Sequence, residues 1–451
     1  MNYRLLLSHV REAYQEVRAT PRPADAVLSQ YLRARKYLGS NDRRFISETI
    51  YGLLREEIFL ERCSRAALSE LCLPEKFLTT FSIYFFLLKC STLPAAELSA
   101  AIQTLTSLSS ETLAQTAQYF LARRKPPEGN DVDALSLRHS FPNWMTELLL
   151  QEHAPKILDD LYRALNAPAP LTLRVNSLRT SPLSLQKELR QLGIETTAGR
   201  LSPDALLCDA RKQVMQTPLF KQGLFEVQDE GSQLISLLLN PKPSMKVFDA
   251  CAGGGGKTLH LATLMRGKGT VYAYDAVERR FGNITQRIRR SGLQNVQVID
   301  SPKKFSHFNS AFAGKLDAVL VDAPCTGSGT VRRNPDLKRR LTKDSLERIS
   351  ATQQDILDAY AGFVKQGGTL VYATCSLFSA ENDAVVKHFL ERHPEFSVKP
   401  ISMQLGEMRV SFDLSALTAR FANSDYMKLA PHTDGTDGFF AAILTKHSPK
   451  S

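Results

Sequence analysis

Asp249, Asp275, Asp300, Asp322, Cys325 and Cys375 each stand at or just beyond the end of a short apolar run: MKVFDA, TVYAYDA, VQVID, LDAVLVDAPC and GTLVYATC. Runs of that length alternating with helical text read as strands of a parallel sheet, whose ligands bind beyond the carboxyl ends of the strands. Consecutive strand ends would bring these acids and the two thiols to one crevice. Carboxylates there can hold hydroxyl groups or a ring nitrogen, and a thiol can add to an electrophilic carbon.

The first strand leads into Cys251, Ala252, Gly253, Gly254, Gly255, Gly256, Lys257 and Thr258. The last three mimic the end of a phosphate-binding P-loop, but that motif requires a glycine where Cys251 stands. Strict GxGxxG spacing is missing too. What remains is a turn of four glycines that lets a ligand approach the backbone closely. Asp275 follows 19 residues beyond Gly256, and a carboxylate there can accept hydrogen bonds from both hydroxyls of a ribose. The turn alone indicates a nucleoside-containing cofactor and no more; a tight turn without a ligand is the plainer alternative.

A lone cysteine is more often a small buried apolar residue than a nucleophile. Cys63, Cys72, Cys90 and Cys208 are read that way, and Cys251 can simply pack within the glycine turn. Cys325 and Cys375 differ, because each follows an apolar strand into the crevice. No CxxC pair or His/Cys cluster has metal-ligand spacing, so no metal is expected. Two thiols at neighbouring strand tips suit covalent chemistry, one adding to carbon and the other managing a proton. Carbon 5 of cytosine needs such help: it is a poor nucleophile until a thiolate adds at carbon 6 and turns the ring into an enamine. Asp322 beside the crevice could hold the ring N3 protonated meanwhile.

The elements that position these groups fall into three parts. Residues 1–125 read as helices; from Phe45, apolar residues recur at Ile46, Ile50, Leu53, Leu54 and Ile58, with Asn41 or Asp42 as cap. A linker is expected over 126–140, where Pro126, Pro127, Gly129 and Asn130 cluster. Residues 141–240 read as a small α+β subdomain, with a strand from Leu171 to Asn176, a helix from Ser184 to Gly193, and a strand-to-helix passage near Asp229. Residues 241–451 alternate strand and helix, which predicts a doubly wound α/β sheet. There the helix after Asp275 places Val277, Phe281, Ile284 and Ile288 on one face and stops at Gly292. A long helix is expected from Ser345 to Gln366, before Gly367 and Gly368, and GFFAAILT forms a last strand.

At this point the motifs carry a resemblance. DACAGGGGKT from Asp249, DAPCTGSG from Asp322, RRNPDLK from Arg332 and YATCSL from Tyr372 resemble the RsmB-type (Sun family) ribosomal RNA cytosine-5 methyltransferases. LRVNSLRTS, EVQDEGSQL and DGFFAA are similar to that family's flanking motifs, and GSNDRRFISETIYGLLRE resembles the NusB-like RNA-binding domain of its bacterial members. The resemblance implies a Rossmann-like class I methyltransferase fold with an all-α NusB-like amino-terminal domain. It assigns S-adenosylmethionine to Cys251–Lys257, its ribose to Asp275, its adenine end to Asp300, and the target base near the methyl donor to Asp322. It makes Cys375 the nucleophile and gives Cys325 the elimination that frees the product. The sequence departs from the family pattern in two segments. The family commonly reads AAPGGKT, so Gly253 and Gly254 stand where alanine and proline are usual, which loosens the unbound turn. Arg339 stands where an aromatic residue is frequent.

Composition agrees with an anionic partner. Lys and Arg number 57 against 46 Asp and Glu, for a formal charge of +11, and a positive field concentrates nucleic acid. Arg332, Arg333, Lys338, Arg339 and Arg340 follow the Cys325 loop and are candidates for phosphate contacts. Arg279, Arg280, Arg287, Arg289 and Arg290 read as a solvated helix face. Phe141 and Trp144 read as packing, and His260 and His307 have no partner in the sequence. The apolar run Phe77 to Leu88 is too short to cross about 30 Å of hydrocarbon, and the amino terminus makes a poor signal peptide. The expectation is a cytoplasmic enzyme acting on RNA, above all small-subunit ribosomal RNA, with no membrane and no obligate protein partner. Rival readings are a P-loop NTPase, a non-catalytic RNA-binding assembly factor, and a cytosine-5 methyltransferase of transfer RNA, another RNA or DNA.

Overall fold

A computed structural model describes residues 3–91, 93–208, 214–408 and 412–447, apart from the Arg279 side chain. Packing divides the chain into two units, Met1–Ala167 with Val331–Thr342, and Pro168–Thr330 with Lys343–Ser451. Each has its own apolar core.

Helices build the first unit. Tyr3–Arg18, Ala24–Ala34, Ser40–Arg55, Glu57–Glu70, Leu78–Cys90, Ala95–Thr106 and Ser110–Arg123 bury a common core in which Phe85 stacks on Phe120 at 4.4 Å. Ile46, Ile50, Leu53 and Leu54 are buried as their spacing predicts, but the chain turns at Glu56 and Ile58 belongs to the next helix. Neither Asn41 nor Asp42 is the cap. Gly39 precedes the helix, and Asp42, one turn inside, accepts the Gly39 N–H at 3.0 Å. Among the described residues no helix is long and apolar enough to cross a membrane.

The stretch expected as a linker, 126–140, carries a helix over Val132–His139. Asp131 starts it by accepting the Ala134 N–H at 2.9 Å, and buried Leu135 anchors it. Helices Asn143–Glu152 and Pro155–Asn166 also pack in this unit, although the sequence reading begins the α+β part at residue 141. Met145 and Leu149 are buried on the first and Leu158, Leu161, Tyr162 and Leu165 on the second, and Phe141 stacks on Tyr162 at 3.8 Å.

The basic segment after the Cys325 loop joins this unit, and its side chains are spent on structure. Lys338, 3% exposed, donates to Arg55 O at 2.8 Å, His139 O at 3.1 Å and Asn166 Oδ1 at 2.6 Å. Arg339 donates to Val17 O at 2.9 Å and Arg18 O at 3.1 Å. Asp336 accepts the Ala24 N–H and Arg340 Nε. Lys338, Arg339 and Arg340 are therefore engaged with helix ends and a buried acid, which corrects their reading as phosphate ligands.

The second unit holds two sheets. The smaller is antiparallel, from β1 (Leu171–Val175), β2 (Thr196–Ala198), β3 (Ala205–Cys208) and β4 (Phe225–Val227), in the order β2-β3-β1-β4. The larger contains β5 (Lys246–Asp249), β6 (Thr270–Tyr274), β7 (Val296–Ile299), β8 (Leu316–Asp322), β9 (Val364–Thr374), β10 (Phe396–Val398), β11 (Tyr426–Leu429) and β12 (Phe439–Lys446). Its order is β10-β12-β9-β8-β5-β6-β7, with β11 beside β12. Strands β7, β6, β5, β8 and β9 are parallel, and β12 runs antiparallel to β9. The chain works outward from β5 to β7 and returns to β8 on β5's other side. This reversal opens a crevice between the carboxyl ends of β5 and β8.

The helix expected to reach Gln366 ends at Ala361. Phe363 and Val364 are buried and enter β9 early, with Leu316 paired to Val364 and Ala318 to Thr369. The residues between them bulge out, with Gly367 at φ +71°.

Candidate active site

The glycine turn shapes one side of the crevice. Gly253 and Gly255 take φ of +56° and +81°, conformations that residues with a side chain resist. Gly255 precedes the helix Gly256–Leu264. The Gly253 N–H donates to Asp275 Oδ2 at 2.8 Å, and Ala252 N–H to Tyr274 O at 2.8 Å, tying the turn to the end of β6. Asp275 is 5% exposed. Its Oδ1 accepts the Val277 N–H at 2.8 Å, and half-exposed Arg280 reaches both oxygens.

Beside Asp275 lies a cavity of about 380 Å³ lined by Tyr274, Ala276, Phe281, Pro302 and Phe305 among others. A cavity of that size, with Phe281, Pro302 and Phe305 beside the polar Glu278, Ser301 and Asn309, suits a flat purine, with the Asp275 carboxylate where a ribose would lie. Asp300 follows β7 directly, and its side chain pairs with Lys304 Nζ at 2.7 Å. Pro302 and Phe305, unmarked in the sequence, form the wall. Their signal was available only as apolar residues just past a strand end.

Across the crevice, the sulfurs of Cys325 and Cys375 approach to 3.3 Å. The Cys375 N–H points at Cys325 Sγ at 3.4 Å, and both thiols are half-buried. The hydrogen bond to Cys375, then burial, pushes the Cys325 thiol well above the ordinary range. Cys251 is also pushed well up, by burial and then by Asp249, Asp322 and Asp275. It is a packed thiol of the turn.

Asp322, at the end of β8, accepts from Lys257 Nζ at 2.6 Å. Burial opposes the lysine charge, but Asp322 more than offsets it, so Lys257 is held above the usual lysine range. Asp249, fully buried, accepts the Thr258 hydroxyl at 2.6 Å. Burial raises its pKa to about 7, against the lowering effect of Thr258.

Glu381 was missed in the sequence, where only its place shortly after Cys375 could have suggested it. This carboxylate is fully buried and joins the two cysteine loops. Its Oε1 accepts the Thr326 N–H at 2.8 Å and Gln353 Nε2 at 3.0 Å. Its Oε2 accepts the hydroxyls of Thr326 and Ser376. Thr326 follows Cys325 and Ser376 follows Cys375, so one side chain fixes the backbone beside both sulfurs.

Two further readings change. His260 has a partner after all: its Nε2 lies 3.3 Å from Asp204 Oδ2, a residue 56 positions away on the approach to β3. Arg287 and Arg290 are not merely solvated, since both grip Glu226 of β4.

An open α/β sheet with a glycine turn, a nucleoside-sized cavity and paired thiols at its switch point defines a Rossmann-like methyltransferase. Residues 236–445 match the family described as 16S rRNA methyltransferase RsmB/F, and residues 141–215 match the ferredoxin-like domain of RsmF/B-like methyltransferases. The chain is 31% identical over 424 residues to a probable ribosomal RNA small subunit methyltransferase B of Synechocystis sp., covering 91% of this chain and 92% of that protein. It is 31% identical over 425 residues to ribosomal RNA small subunit methyltransferase B of Vibrio cholerae, covering 92% of each. A solved methyltransferase homolog protein from Pyrococcus horikoshii matches with a TM-score of 0.59 at 27% identity, covering 71% of this chain and 100% of that one. The chain belongs to the RsmB-type (Sun family) ribosomal RNA methyltransferases, and S-adenosylmethionine is its cofactor.

Proposed function

We propose that the chain methylates carbon 5 of a cytidine in small-subunit ribosomal RNA through a covalent bond between Cys375 and carbon 6. The observation that carries this reading is the 3.3 Å approach of the two sulfurs beside the Lys257–Asp322 pair. Methylating an oxygen or an exocyclic nitrogen requires a positioned lone pair and no thiol, whereas carbon 5 requires a nucleophile on carbon 6. The names of the relatives, small subunit methyltransferases of ribosomal RNA, support this substrate.

Bound S-adenosylmethionine supplies an electrophilic methyl group. Cys251–Lys257 would cradle it, Asp275 would take its ribose hydroxyls in place of Arg280, and Asp300 would lie toward its adenine end. The Cys375 thiolate adds to carbon 6, the proton that Cys375 has given up passes to the ring N3, and the Asp322 carboxylate accepts the N3–H hydrogen bond. Carbon 5, now an enamine carbon, takes the methyl group. Cys325 then assists the elimination by donating its S–H hydrogen bond to the departing sulfur: carbon 5 gives its proton to water, the carbon–sulfur bond breaks, Cys375 leaves as thiolate, and N3 gives up its proton. The helical part and the small α+β part would hold the RNA.

The test is transfer of labelled methyl to small-subunit ribosomal RNA lacking modification, followed by digestion to nucleosides. Label in 5-methylcytidine is the expected result. Label in any other nucleoside would overturn the carbon 5 reading.

A further inference from the structure

The cofactor turn is anchored from outside by two guanidinium groups. Arg287, on the helix Phe281–Ser291, donates from Nη1 to Gly254 O at 2.6 Å. Its other edge is gripped by Glu226, whose Oε2 accepts Arg287 Nε at 3.1 Å and Nη2 at 2.9 Å. Glu226 also takes Arg290 Nη2 at 2.6 and 2.7 Å and is 5% exposed. Arg174 of β1, buried beside Gln228, reaches Gly256 O at 2.5 Å. Side chains from the small sheet and a neighbouring helix thus fix the two carbonyls that bracket the turn.

The turn needs such support. Four successive glycines have more conformations to lose than any other four residues, and an unordered turn must be ordered when the cofactor binds. Where the Sun family commonly has a proline, whose ring fixes φ and cuts that cost, this chain has Gly254. A Cβ at residue 254 would stand 3.3 Å from Arg287 Nη1. Proline and a guanidinium in this position therefore crowd each other, as two alternative means to one end would. Unlike Gly253 and Gly255, Gly254 has no left-handed φ, so the sign of its φ does not bar proline.

We propose that Arg287, locked by Glu226, is a positioning residue that orders the cofactor turn in place of the family's proline. It acts through the Gly254 carbonyl, not through contact with the reacting atoms. The proposal concerns cofactor affinity and stands apart from which RNA atom is methylated.

A double-mutant cycle on the full chain tests it, read by calorimetric binding of S-adenosylhomocysteine. Arg287→Met is expected to weaken binding about tenfold, the scale of one lost charge-assisted hydrogen bond, while Arg290 still neutralises Glu226. Gly254→Pro in the Arg287→Met background is expected to restore affinity to within about threefold of the wild type, a recovery that defines coupling between the two positions. A merely structural role for Arg287 would lower the melting temperature and leave nothing for proline to rescue. Unchanged affinity in Arg287→Met, or a loss that Gly254→Pro does not recover, would overturn the proposal. If Arg287→Met does not fold, Arg287→Lys, which keeps the charge beside Glu226 but loses the fork, is taken through the same cycle with the same criteria.

Discussion

Cys325 and Cys375 touch through their sulfurs, and the proposed reaction gives them different tasks. The Cys325 thiol keeps its proton because it is hydrogen-bonded to Cys375, buried, and close to Glu381. A protonated thiol is a poor nucleophile and suits a late step. Cys375→Ala should therefore abolish methyl transfer while leaving calorimetric binding of S-adenosylhomocysteine within about twofold of the wild type. Retained transfer would remove Cys375 from the first step. Lys257→Met leaves Asp322 without its cation and should slow single-turnover transfer about a hundredfold, as for one charge-assisted hydrogen bond of about 2–3 kcal/mol. A rate within threefold of the wild type would show that the pair matters only to packing. Both thiols and Asp322 were legible in the sequence because strand ends announce themselves by composition, and Lys257 because it follows the four glycines directly. Glu381, Glu226 and the His260–Asp204 contact were not, because each partner lies on another element and no local pattern marks it.

The elements place these groups by a few joints. Strand β8 ends at Asp322 and leads to Cys325, β9 ends at Thr374 next to Cys375, and Glu381 ties the two continuations together. Glu381→Ala removes both acceptor oxygens and leaves the buried Thr326 N–H and Gln353 amide without their partner, at a cost of about 1–3 kcal/mol for each unpaired group. Urea unfolding should show that loss, and the transfer rate should fall at least about tenfold as the sulfurs lose their fixed separation. A stability loss with an unchanged rate would make Glu381 structural only. Helix and strand identities were mostly readable from periodicity, but their ends were not. Gly39 rather than Asn41 or Asp42 begins its helix, since Asp42 can satisfy the Gly39 N–H from inside the first turn. The helix before β9 ends at Ala361, because burying Phe363 and Val364 in the sheet outweighs continuing the helical pattern up to Gly367.

At the scale of the whole molecule, two buried groups of the second unit oppose each other in acid. His260 has its pKa lowered to about 4 by burial, against an ordinary 6.5. Between those values the unfolded state binds the proton and the folded state does not, so this group makes stability rise with pH. Asp249 is raised to about 7 from 3.8; there the folded state keeps the proton, and stability falls as pH rises through that window. From about pH 4 to 6.5 the two slopes oppose and largely cancel. Asp249→Asn removes one of them, so its stability should drop by up to about 3 kcal/mol on acidification from pH 6.5 to 4, measured by denaturant unfolding of the second unit. A flat profile in that variant would contradict the assignment. Asp317, held below its usual range by the Lys246 N–H and Lys365 against the opposing effect of burial, acts only further down in pH. The division of the chain was only partly legible. Composition suggested a linker at 126–140, but the buried face of the helix Val132–His139 draws that region into the helical unit. The basic run after Cys325 looked like an RNA contact, and only packing shows Lys338 and Arg339 bound to carbonyl oxygens inside that unit.

The proposed reaction turns on a covalent bond between Cys375 and the RNA, which Cys325 helps to release. The most direct measurement is denaturing electrophoresis of wild type, Cys325→Ala, Cys375→Ala and the double variant after incubation with unmodified small-subunit ribosomal RNA and S-adenosylmethionine. A stable protein–RNA adduct is expected for Cys325→Ala alone, lost when Cys375 is also replaced. Clean turnover by Cys325→Ala, or an adduct that survives without Cys375, would contradict it.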